Sequence, residues 1–496
     1  MNIADALSGN AGLEGIQRVL LSGAPHNALR HELGALLAAP HRLGPCQLRR
    51  ARFKPGRRLM AYYDAHVRID GDGRESIRPV FVTWGPHRDS GKYHTQADLD
   101  AIEGEAVRRG LLAPFRKLAT DTPESQMHVR VSPLDERFPQ LVRACDPQYV
   151  RDLVAAAHAA INIGAPASKY SITFIRYHPG QRHVLRYDPQ DAPEFRPIFA
   201  KLYHTSEDSE RILHRAKQIG EWLAEYGEGA RSIRPLASVA EDAVVLYARV
   251  VGTPLSNCLR RIGQSLASPL KGTGAALYAL HQLPQAFAVP LESQDFVAEL
   301  EEIARASEHV STLLPSVGAT IKALLERARE LYERLPVEPP AFAHGDFKAD
   351  HVWVTPDGLT LIDFDSCHLG DPALDVGKFL ADLRFWYAIY GHKGLKQAQE
   401  CFLVGYAPGT LTERVMRARV YESVELVKLA VRRVHLFEDD WATRTKWLIG
   451  LAEAVLNDLQ LGPGFAVKQS PLPGPRGALP KLRVTGGGHG LLEGLN

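Results

Sequence analysis

The stretch FAHGDFKADHVWV, residues 342–354, contains several side chains that can transfer protons or bind ions. Asp346, Lys348 and His351 precede a run of β-branched and aromatic residues that is typical of a strand. The run continues as HVWVTPDGLTLIDF, in which Pro-Asp-Gly between two apolar stretches predicts a β-hairpin. Because a hairpin returns the chain to its starting point, Asp363 at its end is expected to face Asp346 at its start.

Two carboxylates that converge beside a lysine can bind a divalent cation and phosphate groups. Phosphoryl transfer needs such parts: a carboxylate that accepts the proton of the attacking hydroxyl, metal ligands, and a cation on the phosphates. A hairpin bordered by ion pairs would equally explain a lone H-G-D. The additional motifs I-D-F-D at 362–365 and G-D-P-A-L-D at 370–375 favour the chemical interpretation.

Length and composition exclude several other classes of protein. A chain of 496 residues predicts two or three domains, and a net charge of +2 argues against a dedicated nucleic-acid or membrane-surface protein. The five cysteines lie far apart without a C-x-x-C pair, which predicts reduced thiols. We find neither a signal-peptide pattern at the start nor an apolar run long enough to span a membrane, so a cytoplasmic protein is expected.

One internal repeat organises the first half of the chain. RFKPGRRLMAYYD at 52–64 aligns with RYHPGQRHVLRYD at 176–188, and RPVFVTW at 78–84 aligns with RPIFAKL at 196–202. Each copy predicts a hairpin with Pro-Gly at its tip and then a third, buried strand.

Helical segments follow each third strand and dominate the second half of the chain. The helix predicted over 206–227 has one apolar face, formed by Ile212, Ala216, Ile219 and Leu223. Strands are predicted at MHVRV, residues 127–131, and at AVVLYARVV, residues 243–251. Other segments with helical spacing are 96–112, 274–283, 296–333, 376–403, 411–437 and 441–459.

The motifs HGD, IDFD and GDPALD together resemble those of the aminoglycoside phosphotransferase and choline kinase group, a branch of the protein-kinase-like fold. The resemblance covers about residues 165–460. It implies an α+β, bilobal protein-kinase-like fold with a small antiparallel-sheet lobe and a helical lobe, here preceded by a degenerate duplicate of the small lobe. It also implies transfer of the γ-phosphate of ATP to a hydroxyl of a sugar-like molecule, an aminoglycoside or an amino alcohol.

The resemblance assigns roles around the HGD motif. Asp346 is the expected catalytic base, and Lys348 is expected near the γ-phosphate. Asp363 occupies the position of a metal ligand, and His344 and Asp375 are expected to support the catalytic loop.

The second repeat copy supplies the expected ATP-binding residues. Lys201 is expected to hold the α- and β-phosphates, and Arg182 of the HPGQR hairpin to provide a further cation over them. The backbone of Tyr247, Ala248 and Arg249 corresponds to the hinge that meets adenine.

Three positions depart from the family pattern, of which the least important is Ala248, at a hinge position that is often acidic in relatives. Mg²⁺ is the expected ion, with Mn²⁺ as an alternative. His351 stands where the family has Asn, and imidazole is a poorer ligand for Mg²⁺ than an amide oxygen, so this ring could bind the metal less tightly, favour Mn²⁺ or hydrogen-bond a phosphate, with Asp365 taking over part of the metal binding. The helix glutamate that pairs with Lys201 is not evident; Glu210 is our prediction and Glu221 the alternative.

The first copy lacks the groups for phosphate transfer, because Thr83 aligns with Lys201 and neither HGD nor IDFD follows before the second copy. We therefore hypothesise that it caps the kinase, regulates it, or mediates self-association. The predicted domains are a degenerate small lobe (1–150), a kinase-like small lobe (151–252), a helical lobe (253–461) and a mobile Pro/Gly-rich tail (462–496).

The expected partners are ATP and a small hydroxylated acceptor, with neither nucleic acid nor a membrane. Two alternatives remain at this stage. A catalytically impaired kinase fold that serves as a scaffold is favoured by His351 and by the unclear helix glutamate. A protein kinase is favoured by D-F-K but disfavoured by I-D-F-D in place of D-F-G and by the lack of an A-P-E segment.

Overall fold

The chain begins with three helices that pack on an antiparallel sheet. The computed structural model describes residues 3–69, 75–86, 96–160, 167–192, 195–261, 266–284, 291–407, 409 and 412–460. The elements of this first part are α1 (Ile3–Ser8), α2 (Gly12–Leu21), α3 (Ala24–Leu36), β1 (His41–Lys54), β2 (Arg58–Ile69), β3 (Glu75–Trp84), α4 (Gln96–Arg108), β4 (Ala119–Thr122) and β5 (Met127–Val131).

Two helices, α5 (Leu141–Ala144) and α6 (Pro147–Ala160), lead into a second antiparallel sheet. The elements of the second part are β6 (Tyr170–His178), β7 (Arg182–Pro189), β8 (Ile198–Leu202), α7 (Ser206–Tyr226), β9 (Ala230–Ser232), β10 (Pro235–Val239) and β11 (Val244–Ala248). The sheet orders are β1-β2-β3-β5-β4 and β10-β11-β8-β7-β6, so the aligned strands of the two copies occupy equivalent places.

Local sequence explains the main features of the second sheet. The Pro-Gly turn between β6 and β7 places Gly180 at φ +70°, a left-handed conformation that glycine adopts without steric cost. Strand β8 is buried along its whole length because β7 and β11 flank it. Helix α7 buries Ile212, Ala216, Ile219 and Leu223, which confirms the predicted apolar face.

The rest of the described chain is a helical lobe that contains short strands. Its elements are β12 (Thr253–Pro254), α8 (Leu255–Leu259), α9 (Ala267–His281), α10 (Phe296–Ala306), α11 (Glu308–Leu313), α12 (Pro315–Glu333), β13 (Ala341–Ala343), β14 (Val352–Thr355), β15 (Gly358–Leu361), β16 (His368–Gly370), α13 (Ala373–Tyr390), α14 (Leu395–Tyr406), α15 (Thr412–Arg432) and α16 (Trp441–Gln460). A small antiparallel-sheet lobe followed by a helical lobe confirms the predicted bilobal arrangement.

Two long helical predictions are broken in the structure. The segment 296–333 forms three helices, and Pro315 begins the third, where its missing N–H costs no helical hydrogen bond. The segment 376–403 forms two helices, because Gly391 and Gly394 adopt φ angles of +65° and +89° that end one helix and precede the next.

Other features of the chain bear on its environment. All five cysteines are free thiols. Among the described residues we find no helix with the length and apolar character that crossing a bilayer requires. The predicted mobile tail at 462–496 lies outside the described residues.

Candidate active site

The loop between β13 and β14 carries the HGD motif and is held by a buried carboxylate. Gly345 has a φ of +76°, and a Cβ atom there would lie 2.2 Å from the carbonyl oxygen of Ser366, so no other residue fits without movement. The Asp375 carboxylate accepts the backbone N–H groups of His344 at 2.6 Å and Gly345 at 2.9 Å. Asp375 stands in the first turn of α13, so it ties the loop directly to a helix.

Three potential metal ligands meet beside this loop. One ligand atom from each of Asp346, His351 and Asp363 lies within 4.8 Å of the other two. Asp363 has a left-handed backbone, with φ at +63°, which is uncommon for a residue with a side chain and often marks functional sites. The hairpin β14–β15 therefore does bring the two carboxylates together.

His351 points an unprotonated ring nitrogen towards this cluster. Its Nδ1–H donates to the backbone oxygen of Asp346 at 2.9 Å. Its buried Nε2 has no hydrogen-bond partner among the described residues and lies 3.5 Å from an Asp363 carboxylate oxygen. Burial, followed by the positive charge of Lys348, lowers the pKa of His351 to about 3, so the ring is neutral at pH 7. A neutral imidazole lone pair beside two carboxylates fits a divalent cation.

Lys201 of β8 reaches the same cluster from the small lobe. Its Nζ lies 2.7 Å from Asp363 Oδ1 and 2.5 Å from Asp365 Oδ2, and its side chain is only 4% exposed. The predicted pairing with a helix glutamate is not what the structure contains. Glu210 and the alternative Glu221 are both exposed on α7, whereas Lys201 is buried against two aspartates. The buried face of α7 presents Arg215 instead of an acid.

Positive charges surround the Asp363 carboxylate. Arg182, at the start of β7, places Nη1 4.0 Å from Asp363 Oδ2. Burial raises the pKa of Asp363, but the charges of Lys201 and Arg182 outweigh this effect and hold the pKa below its usual range. The carboxylate is therefore ionised at neutral pH, as a metal ligand must be.

The surroundings of Asp346 include a residue that the sequence analysis missed. Lys348 lies 2.8 Å from one carboxylate oxygen of Asp346, and Lys378 of α13 lies 3.3 Å from the other. Lys378 also pairs with the buried Glu425 of α15 at 3.1 Å. Burial raises the pKa of Asp346, yet the charges of Lys348 and Lys378 together hold it well below its usual range. Lys378 could have been noticed because it follows Asp375 by three residues, on the same helix face.

Arg433, which follows α15, is a second residue that the sequence analysis missed, and it supports the loop between β13 and β14. Arg433 donates to Asp350 at 3.0 Å and to Asp382 at 3.0 Å. Asp382 also accepts the backbone N–H of Ala349 at 2.8 Å. Asp350 is thus committed to an ion pair, and the described contacts place it outside the metal cluster.

An apolar cluster lies between the two lobes, next to Lys201. It combines Phe199 and Tyr247 of the small lobe with Trp353 and Ile362 of the helical lobe, all of them buried. The Trp353 indole N–H is buried and has no acceptor within the described part of the chain. Ala248 is the exposed last residue of β11, and the chain continues from it to β12 of the helical lobe.

Ionised carboxylates, a lysine and a neutral imidazole that meet between two lobes are the kinds of group on which phosphoryl transfer depends. Residues 179–411 match the family model described as "Phosphotransferase enzyme family". This match bears out the resemblance predicted from the motifs, over the residues that the family model covers. The comparison with curated proteins found no match.

Solved structures with related folds share little sequence with this chain. Choline kinase from Cryptosporidium parvum is 10% identical, with 64% of this chain and 97% of that chain covered at a TM-score of 0.43. A choline/ethanolamine kinase family protein from Mesorhizobium loti is 15% identical, with 57% and 86% covered and a TM-score of 0.38. Macrolide 2'-phosphotransferase from Brachybacterium faecium is 14% identical, with 62% and 98% covered and a TM-score of 0.37. Likenesses this distant do not indicate an acceptor.

Proposed function

We propose that this protein transfers the γ-phosphate of ATP to a hydroxyl group of a small molecule. The observation that carries the proposal is the meeting of Asp346, His351 and Asp363 within 4.8 Å, with Lys201 in contact with Asp363. Few structural roles would require so many charged groups to be withdrawn from solvent at one point, whereas phosphoryl transfer depends on them.

In the proposed reaction, Asp346 is the base. The acceptor hydroxyl gives its proton to the Asp346 carboxylate, and the oxygen forms a bond to the γ-phosphorus. The bond from the γ-phosphorus to the β–γ bridging oxygen breaks, and ADP leaves. Lys348 and Lys378 keep Asp346 ionised, so it is ready to accept a proton at neutral pH.

The nucleotide would bind between the lobes. Lys201 and Arg182 offer cations to its phosphates, and the backbone from Tyr247 to Arg249 offers hydrogen bonds to adenine. The apolar cluster would contact the adenine ring, with the unpaired indole N–H of Trp353 as a further hydrogen-bond donor.

Asp363 and His351 are the residues that would hold a divalent cation, with Asp365 beside them. When bound, Mg²⁺ or Mn²⁺ neutralises charge on the phosphate oxygens.

The test is an ATP-consumption screen with the purified full chain. Sugars, amino alcohols, aminoglycosides and a generic protein would be offered with Mg²⁺ and with Mn²⁺, and phosphorylated product would be identified by mass spectrometry. We expect turnover with at least one small molecule and its loss in Asp346→Asn. Equal turnover in the variant would overturn the assignment. Nucleotide binding without turnover on any acceptor would favour a scaffold, and transfer to the protein substrate alone would favour a protein kinase.

His351→Asn is expected to change the metal preference. Imidazole is a better ligand for Mn²⁺ than for the harder Mg²⁺, whereas an amide oxygen suits both. The ratio of kcat/KM with Mn²⁺ to that with Mg²⁺ should therefore fall by about tenfold, which is 1.4 kcal/mol of differential binding. Calorimetric titration with each ion in the presence of AMP-PNP gives the same ratio without turnover. His158→Asn is the control, because His158 is buried against Phe195 away from the site; an unchanged ratio in His351→Asn would show that the ring does not touch the metal.

A further inference from the structure

A large cavity lies where the first repeat copy meets the helical lobe. It has a volume of about 510 Å³ and is enclosed by the β1–β2 hairpin, by α10 and α11, and by the end of α15 with the residues that follow it. We call it the basic cavity, because its charged lining includes Arg50, Arg52, Lys54, Arg57, Arg305 and Arg432.

The acidic residues of the basic cavity are already paired. Of the described residues that line it, Glu302 and Glu308 are acidic. Glu302 pairs with Arg432, and Glu308 pairs with Arg57. No carboxylate is therefore left in the lining to neutralise the other cations.

Three cations of the first copy take part in no ion pair within the described chain. Within the described chain, Arg50, Arg52 and Lys54 have no carboxylate within ion-pair distance; Arg52 donates only to the side-chain amide of Gln181, at 3.2 Å. Burial and neighbouring arginines lower the pKa of Arg50 to about 10, and burial also lowers those of Arg52 and Lys54. Partly buried cations without a counter-charge cost free energy, which an anionic ligand would recover.

The cations of the first copy lie near a cation of the candidate active site. Tyr62 of β2 packs on His178 with ring centroids 5.0 Å apart, so the first copy lies against the β6–β7 hairpin. Arg50 and Arg52 are near enough to Arg182 for their charges to interact, and Arg182 in turn reaches Asp363. Burial lowers the pKa of Arg176 of β6. The charge of Arg182 lowers this pKa further, whereas the charges of Asp363 and the other site aspartates raise it.

The helical lobe completes the connection on the opposite side. Arg432 lines the basic cavity, and the next residue, Arg433, binds Asp350 in the catalytic loop. The basic cavity and the contact with the catalytic loop are therefore both at the C-terminal end of α15, but the cavity lining does not include Lys201 and Arg182, assigned to the nucleotide, or Asp363, assigned to its metal ion.

We propose that the basic cavity binds an anionic group of the acceptor, a phosphate or a carboxylate, while a hydroxyl of the same molecule reaches Asp346. The first repeat copy thus supplies part of the acceptor site through Arg50, Arg52 and Lys54. This inference rests on the proposed phosphotransferase function and narrows its acceptor: cationic aminoglycosides and amino alcohols would be repelled, whereas an anionic sugar-like molecule would be attracted.

The first test measures binding without turnover. Full-length protein saturated with AMP-PNP and Mg²⁺ is titrated by calorimetry with inorganic phosphate, with glucose 6-phosphate and with gluconate as probes; the last two separate phosphate from carboxylate. We expect binding of at least one probe, weakened at least tenfold in Arg50→Ala/Arg52→Ala. The single variant Arg50→Ala keeps the hydrogen bond between Arg52 and Gln181, so it controls for disturbance of Gln181. Arg50→Lys keeps the positive charge and should restore part of the affinity. Arg18→Ala, an exposed arginine on α2 paired with Glu14, is the matched control and should bind as the wild type does. No binding of any probe, or equal binding in the double variant, overturns the proposal.

The second test compares acceptors of different charge. Glucose 6-phosphate and gluconate should have a higher kcat/KM than glucose and glucosamine, and the double variant should raise the acceptor KM at least tenfold with the KM for ATP unchanged. A preference for neutral or cationic acceptors that the double variant leaves unaltered refutes the anionic acceptor but not the kinase. An equal rise in the KM for ATP assigns the cavity to the nucleotide and likewise refutes it. Probe binding that the double variant abolishes, together with no transfer to any acceptor, supports the anion site and counts against the proposed function.

Discussion

Asp346→Asn is expected to lower kcat by about 10³-fold, since a positioned general base typically contributes 10²- to 10⁴-fold. The amide keeps the size of the side chain but cannot accept the proton of the acceptor hydroxyl. Because the Oδ1 of Asn can still accept a hydrogen bond from one of the two lysines, Lys348 or Lys378, the fold should persist and the affinity for AMP-PNP should change little. The measurement is steady-state kcat with the acceptor found in the screen, alongside calorimetric binding of AMP-PNP and circular dichroism.

The matched control is Asp357→Asn, an exposed aspartate in the turn between β14 and β15. It changes the same charge in the same hairpin and should leave kcat within twofold of the wild type, about 0.4 kcal/mol. Activity in Asp346→Asn above about a tenth of the wild-type value would mean that another group accepts the proton.

The pKa of Asp346 also predicts a pH dependence. Its folded-state pKa lies well below the ordinary value, so ionisation of this carboxylate contributes stability above its unfolded pKa of about 3.9. That contribution is lost as the pH falls through the lower, folded-state pKa. In the range from pH 5 to 8 the base stays ionised, and Asp346 should not produce an acid limb in the kcat profile.

The second large effect is expected for Asp363→Asn. Asp363 is the carboxylate shared by Lys201, Arg182 and the Nε2 of His351, and its substitution removes the central negative charge of the proposed metal site. We expect kcat to fall by about 10³-fold, as for loss of an electrostatic group at the transferring phosphate, and metal-dependent nucleotide affinity to fall as well. Titration of Mn²⁺ by electron paramagnetic resonance, with and without AMP-PNP, measures the metal site directly.

Asp365→Asn separates this role from simple pairing with Lys201. Asp365 lies 2.5 Å from Lys201, but its side chain is 24% exposed and it lies outside the cluster of Asp346, His351 and Asp363. Its substitution should cost about tenfold in kcat or less, because an exposed carboxylate contributes less than a buried one. Equal losses in the two variants would show that the ion pair with Lys201, rather than metal binding, is what the reaction needs.

The amino-acid sequence alone determined the features that depend on residues close to one another along the chain. Asp346 and Asp363 are joined by one short hairpin, so the Pro-Asp-Gly turn was enough to predict that their carboxylates meet. The Pro-Gly hairpins of both copies and the apolar face of α7 follow from equally local patterns. Asp375 was predicted as a support because its motif matched a family, and its two bonds to the loop backbone are consistent with that role.

Only the tertiary structure decided which distant charges share a site. The rotation of α7 about its own axis, set by packing, left Glu210 in solvent and turned Arg215 inwards, so Lys201 pairs with the aspartates of another lobe. Likewise, Arg52 comes close to Arg432 only because the first copy docks on the helical lobe. Such contacts leave no local signal, since the turn and propensity rules act over a few residues whereas burial of apolar surface brings together residues hundreds of positions apart.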